Sequence, residues 1–186
     1  MVCAGMLAKV LLAATLFTQS GGAPAPQKST ITVHVYKGGL FSAFAHNHLI
    51  KASISKQTLD PKSMTAEIFV SAKEMKVIDP ETSESTRAEI QRDMLGPKVL
   101  DTDKYPQIHF KSNRIEQSSP GHFRVTGTLE LHGAGKEISF DVSGGPDHYH
   151  GSTKFKQTEF GIQPISIGGG TVKVKDQIDI EFDIYP

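Results

Sequence analysis

From Thr30 onward the chain alternates apolar and polar positions, the signature of half-buried strands. Thr30-Ile-Thr-Val-His-Val-Tyr36 places Ile31, Val33 and Val35 on one face. Met64, Ala66, Ile68 and Val70 share another face, and Ile108 pairs with Phe110. Phe123, Val125, Gly127, Leu129 and Leu131 lie opposite Arg124, Thr126, Thr128, Glu130 and His132. Ile138, Phe140 and Val142 alternate with Glu137, Ser139 and Asp141, and Ile178, Ile180, Phe182 and Ile184 with Asp179, Glu181 and Asp183. Turn chemistry separates these runs: Asp60-Pro61, Ser119-Pro-Gly121, Gly133-Ala-Gly135, Gly144-Gly-Pro146 and Gly168-Gly-Gly170.

One stretch breaks the period. Glu81–Leu95 is rich in helix formers, with Asp79 placed as an N-cap, Pro80 at the first helical position and Gly96 as a stop. Ala88, Ile90, Met94 and Leu95 would form its apolar stripe. About eight short strands with one helical crossover near 81–95 predict an all-β domain, a single antiparallel sheet or sandwich. A sheet that long curls, and closure into a barrel removes its edges. An eight-stranded barrel is either filled by its own side chains or holds one small ligand.

Residues 1–25 read as an export signal to be removed: Lys9 precedes the apolar run Val10–Phe17, and small residues follow up to Ala25. That run is well short of the roughly 20 residues needed to span a bilayer. Residues 26–28 form a short leader, and 29–186 one domain without a repeat. Cys3, the single cysteine, leaves with the signal, so no disulfide framework or cysteine metal site is available. A thiol-free mature chain suits an oxidising compartment, periplasmic or secreted. The 20 basic and 20 acidic residues cancel, which gives no electrostatic case for nucleic acid, and stable membrane insertion is not expected.

Three blocks resemble the YceI family of exported lipocalin-like barrels. They are Leu100-Asp-Thr-Asp-Lys-Tyr-Pro-Gln-Ile-His-Phe-Lys-Ser112, Val125-Thr-Gly-Thr-Leu-Glu-Leu-His-Gly-Ala-Gly-Lys-Glu-Ile-Ser-Phe140 and Phe155-Lys-Gln-Thr-Glu-Phe-Gly-Ile162. The first is similar to the family's Tyr-Pro turn into a strand, the second to its glycine-bounded hairpin, the third to a late strand. The resemblance implies an eight-stranded antiparallel lipocalin-like barrel around an apolar tube that holds a polyisoprenoid, such as a quinone tail, or another amphiphile. The chain departs from the family's usual pattern at Ile90–Leu100 and at His46-Asn-His48.

On the residues alone, Phe41, Phe44, Ile68, Phe110, Phe123, Leu129, Phe140, Phe155, Phe160 and Phe182 are the candidates for a ligand-facing interior. With 10 Phe, 4 Tyr and no Trp, the aromatic surface is nearly all apolar. Two histidine pairs have H-x-H spacing, which puts both rings on one face of a strand. His46 and His48 share the register of Ile50 and Ala52 and are candidates for contact with a ligand's head group. The alternative is a metal-binding barrel in which His46 and His48 join a third ligand, His109 or a carboxylate. His148 and His150 follow a glycine turn and suit an exposed edge. No G-x-S-x-G, H-E-x-x-H or phosphate-loop motif is present, so catalysis is not expected. The expectation is a non-catalytic carrier of a long lipid, without a cofactor, whose partners are that lipid and at most a second copy in a homodimer.

Overall fold

The strands form where the alternation places them. They are seen in a computed structural model that describes residues 27–38, 47–167 and 172–186. The expected export signal, Phe41, Phe44 and His46 lie outside the described residues. Along the chain come β1 (Thr30–Gly38), β2 (His48–Asp60), β3 (Thr65–Ser71) and β4 (Lys76–Val77). They are followed by helix α1 (Glu84–Leu95), β5 (Gln107–Ser119), β6 (His122–Leu131), β7 (Ala134–Gly145), β8 (His148–Lys156), β9 (Ser166–Ile167) and β10 (Val172–Ile184). Among the described residues, β4 and β9 are two-residue stubs, and the other eight strands close an antiparallel barrel.

The hydrogen-bonded order is β1-β10-β8-β7-β6-β5-β3-β2, and β1 also pairs with β2 to complete the ring. That seam runs from Thr30 opposite Ser53 to Val35 opposite His48. Closure leaves no long edge strand, and it gives every strand one face to the lumen and one to solvent. Ile31, Val33, Ile178, Ile180, Phe182 and Ile184 take the inner face, as the alternation predicts.

The barrel has two different ends. At one, tight turns join β2 to β3, β5 to β6 and β7 to β8; this is the hairpin end. At the other, the chain between β3 and β5 carries α1, which packs Met94 into the core with Ile90 and Leu95 beside it. Gln91 splices α1 to the barrel: its Oε1 accepts from Val77 N–H at 2.8 Å and its Nε2 donates to Met75 O at 2.8 Å.

The start of α1 corrects the reading of its cap. The helix begins at Glu84, with Ser83 as N-cap accepting from Thr86 N–H at 3.2 Å. Asp79 and Pro80 precede it, because the Asp79 carboxylate is committed to β2 instead: it accepts from Leu49 N–H at 2.6 Å. Ala88 is exposed, so the apolar stripe is only Ile90, Met94 and Leu95.

Three phenylalanine rings run round the inner wall. Phe110 and Phe140 have centroids 5.4 Å apart, as do Phe140 and Phe182. Each outer ring lies over a glycine of the adjacent strand. A Cβ placed on Gly127 would sit 2.5 Å from Phe110 Cζ and 2.5 Å from the backbone oxygen of Lys111. A Cβ on Gly151 would meet the Phe182 ring and, at 2.9 Å, the backbone oxygen of Asp141. The rings occupy space that side chains at those positions would take, a known role for glycine within a strand.

Gly127→Val therefore collides with backbone as well as ring, so ring movement alone cannot relieve it. The expected cost is about 1–3 kcal/mol, read as a lower urea midpoint. Gly145→Ala, with nothing within 4 Å of the new Cβ, should leave the midpoint unchanged. Equal midpoints for the Gly127→Val variant and the unmodified protein would show that the ring is not seated on Gly127.

Candidate functional site

The inner faces of the strands enclose a cavity of about 750 Å³ that extends from α1 to the turns of the hairpin end. That volume lies within the roughly 300–1,000 Å³ of ordinary small-molecule sites. Ile108 and Gln117 mark the extent of its wall on β5. They are about 30 Å apart along the strand at the usual rise per residue. At ordinary strand tilt this is roughly 23 Å along the barrel axis. The site is a long tube.

Of the interior residues expected from sequence, Ile68, Phe110, Phe123, Leu129, Phe140, Phe155 and Phe182 line this tube. Phe160 does not. It follows β8 in a 3-10 turn, is 1% exposed, and packs edge-on against Phe155 with centroids 4.9 Å apart. It supports the wall from behind. Sequence reasoning did not single out Val35, Ile50, Ile138, Ile178 and Ile180 as site residues, though their alternation places them on the same face. Met75, Ile90 and Met94 also face the tube from outside the regular strands; the stripe of the helix was legible, but not that it faces the lumen.

Polar groups concentrate near the ends. Under α1 the lining includes Tyr36, Lys37, His48, Asp93, Gln157, Gln163 and Lys173. A register shift between Val35 and Lys37 on β1 breaks the alternation, and both Tyr36 and Lys37 reach the lining. His48 Nδ1 lies 2.7 Å from Asp79 Oδ2. The Asp79 residue is 3% exposed, and its other oxygen takes the Leu49 N–H. The contact holds the His48 ring in one orientation. Asp79 is the partner of His48 that sequence reasoning missed.

His109, His148 and His150 lie outside the tube lining. His109 sits between Glu67 and Glu130, with Nε2 3.0 Å from Glu67 Oε1, and stacks on Phe69 at 4.3 Å. It is on the opposite face of β5 from Ile108 and Phe110, so it cannot complete a metal set with His48. On β8, His148 Nε2 and His150 Nδ1 approach the same oxygen, Asp183 Oδ1, at 2.8 and 3.2 Å. His148 also stacks on Tyr185 with centroids 4.6 Å apart. Burial works against the Asp183 charge, but the two histidine hydrogen bonds and nearby histidine charges outweigh it and hold its pKa below the ordinary value of 3.8. Among the described residues, no group of three His, Cys, Asp or Glu is placed to hold a metal ion.

Comparison with known proteins follows the same lines. A family model described as "YceI-like domain" matches residues 24–185. A UPF0312 protein of Vibrio parahaemolyticus is 32% identical over 78 residues, covering 40% of this chain and 41% of the relative. A UPF0312 protein of Vibrio cholerae is 28% identical over 96 residues, covering 46% of this chain and 51% of the relative. The chain thus spans about half the length, or less, of these curated relatives. Among solved structures, Burkholderia cenocepacia BcnA superposes with a TM-score of 0.62 at 17% identity, covering 83% of this chain and 94% of that one. At that identity the likeness speaks for the fold.

The Asp183 cluster yields a pH test. A carboxylate whose folded pKa is depressed stabilises above its unfolded value, and that contribution disappears as pH falls through the folded value. The side chain is 41% exposed, so the contribution should be below about 1 kcal/mol. Asp183→Asn should unfold at lower urea than the unmodified protein at pH 7. The gap should close as pH drops below the ordinary carboxylate range. A gap that persists in acid would show that the charge is not its source.

Proposed function

The chain belongs to the YceI-like family, and from that premise we propose that it is a non-catalytic carrier that holds one long apolar or amphiphilic lipid, a polyisoprenoid in the first instance, inside its barrel. The observation that carries this reading is the tube itself: about 750 Å³, long, and walled by Ile, Val, Leu and Phe side chains. Such a wall offers dispersion contacts and freedom from water but few hydrogen bonds. A chain-like hydrocarbon is the ligand class that uses it.

The magnitudes agree. Burying a five-carbon isoprene unit is favourable by about 4 kcal/mol, at roughly 0.8 kcal/mol for each carbon group removed from water. Association costs on the order of 4–15 kcal/mol. A few units along the tube outweigh that cost, whereas a single small apolar molecule does not. Affinity should therefore rise with chain length until the tube is full. We place the protein outside the cytoplasm, periplasmic or secreted, where a shielded path through water is what a polyisoprenoid needs. No cofactor enters this reading.

Native mass spectrometry of protein purified from its host tests it. The expected spectrum carries a lipid-sized adduct that is lost after organic extraction. Reloading extracted protein to about one hundred times the dissociation constant should restore roughly 2.7 kcal/mol of stability. For a domain of this size that is a rise of roughly 5–10 °C in melting temperature. Val142→Trp fills the hairpin half of the tube without removing a charge, and should lower retention with the far-UV spectrum unchanged. A bare mass by every route, with no thermal response to lipid, would overturn the carrier reading.

A further inference from the structure

Resting on the carrier reading, we propose that the tube is loaded from one end: a hydrocarbon tail enters between the turns of the hairpin end and stops partway, against a packed layer faced by Leu129 and Ile180, so that tail length is the property selected. The argument is the uneven burial of side chains that all line one tube. A side chain bordering open lumen keeps accessible surface, whereas a buried one has other side chains against it.

Toward α1 the lining is packed. Val33, Ile50, Val70, Leu131, Phe155 and Ile178, drawn from six strands of the ring, are each 8% exposed or less. They belong to one buried cluster, which Met94 of α1 joins. Toward the hairpin end, Phe123, Phe140, Val142 and Phe182 line the same tube, yet they are half-buried and lie outside that cluster. The change occurs within single strands: on β10 Ile178 is buried and Phe182 half-buried, and on β3 Val70 is buried and Ile68 half-buried. Val125 and Ile184 are buried nearer the hairpin end, but outside the cluster.

Register locates the face of the packed layer. Leu129 belongs to the cluster and is opposite Phe110 across β6 and β5; Ile180 is opposite Val33 across β10 and β1. Phe110 and Ile180 are partly buried and pack against the cluster. At the far end of the open stretch, the lining runs out to exposed turn and strand-end residues: Asp60, Pro61, Gln117, Gly144 and Pro146. Exposed lining residues such as Asp93 and Gln163 occur at the helix end too, so the packed layer is what distinguishes the two ends. A chain inserted from the hairpin end gains apolar contact with each carbon until it meets that layer, and its head group stays among residues that water reaches.

Partition of radiolabelled 1-alkanols, from octanol to hexadecanol, into organically extracted protein tests the stop. Affinity is expected to rise roughly fourfold with each carbon group and then to level off at one chain length. Leu129→Ala opens the layer and should move that length upward. Ile180→Phe adds volume on the lumen side and should move it downward. The two variants act in opposite directions, so either one that keeps the far-UV spectrum suffices. An unmoved plateau in a folded variant, or affinity still rising at hexadecanol, would overturn the stop and leave the carrier reading standing. Binding of no alcohol would overturn both.

Orientation has its own readout. In isotope-filtered NOE spectra of the bound alcohol of plateau length, its terminal methyl should reach the side chains of Leu129 and Ile180. Its hydroxymethyl group should reach Tyr149. The reverse pattern, or both ends of the alcohol reaching both sets of residues, would overturn the assignment.

Discussion

A closed ladder of backbone hydrogen bonds holds the wall of this barrel, and two gaps in that wall keep the interior open. Gly127 and Gly151 carry no side chain, and the rings of Phe110 and Phe182 occupy the spaces that result. Phe140 stands between them, tilted 52° to Phe110 and edge-on at 74° to Phe182. Backbone oxygens of Lys111 and Asp141 flank the two glycines, so neither position has room for a larger residue without a shift of the ladder.

Around these rings the barrel is asymmetric. The helix end is built from contacts between residues well apart in the chain: Gln91 of α1 with β4, and Asp79 with the first residues of β2. Arg87 ties the start of α1 to the backbone oxygen of Asp79 at 3.1 Å. The lining there includes Tyr36, His48, Asp93, Gln157 and Gln163. The hairpin end is built from local turns, and its lining is apolar but for Asp60, Thr65, Gln117 and Tyr149.

Most of this architecture was legible in the sequence because period two is a geometric property of strands. Residues that share a face in the chain, such as Ile31 with Val33 and Ile178 with Ile180, share the lumen. The reading failed where the period stopped. Phe160 follows the end of β8 at Lys156, and in a 3-10 turn its spacing from Phe155 no longer means a common face. Asp79 looked like a helix cap because Asp-Pro favours one, but its partner His48 is 31 residues away and nothing local reports such a contact. Volume was also out of reach: Gly127 was visible on the apolar face, but only strand register reveals which ring lies on it.

The proposed carrier role requires a hollow interior occupied by a hydrocarbon chain. Crystallographic density of protein taken from its host, never exposed to organic solvent, tests it most directly. The expected result is continuous elongated density along the axis, passing Phe110, Phe140 and Phe182. Side chains meeting across the axis, with no space or density between them, would contradict it.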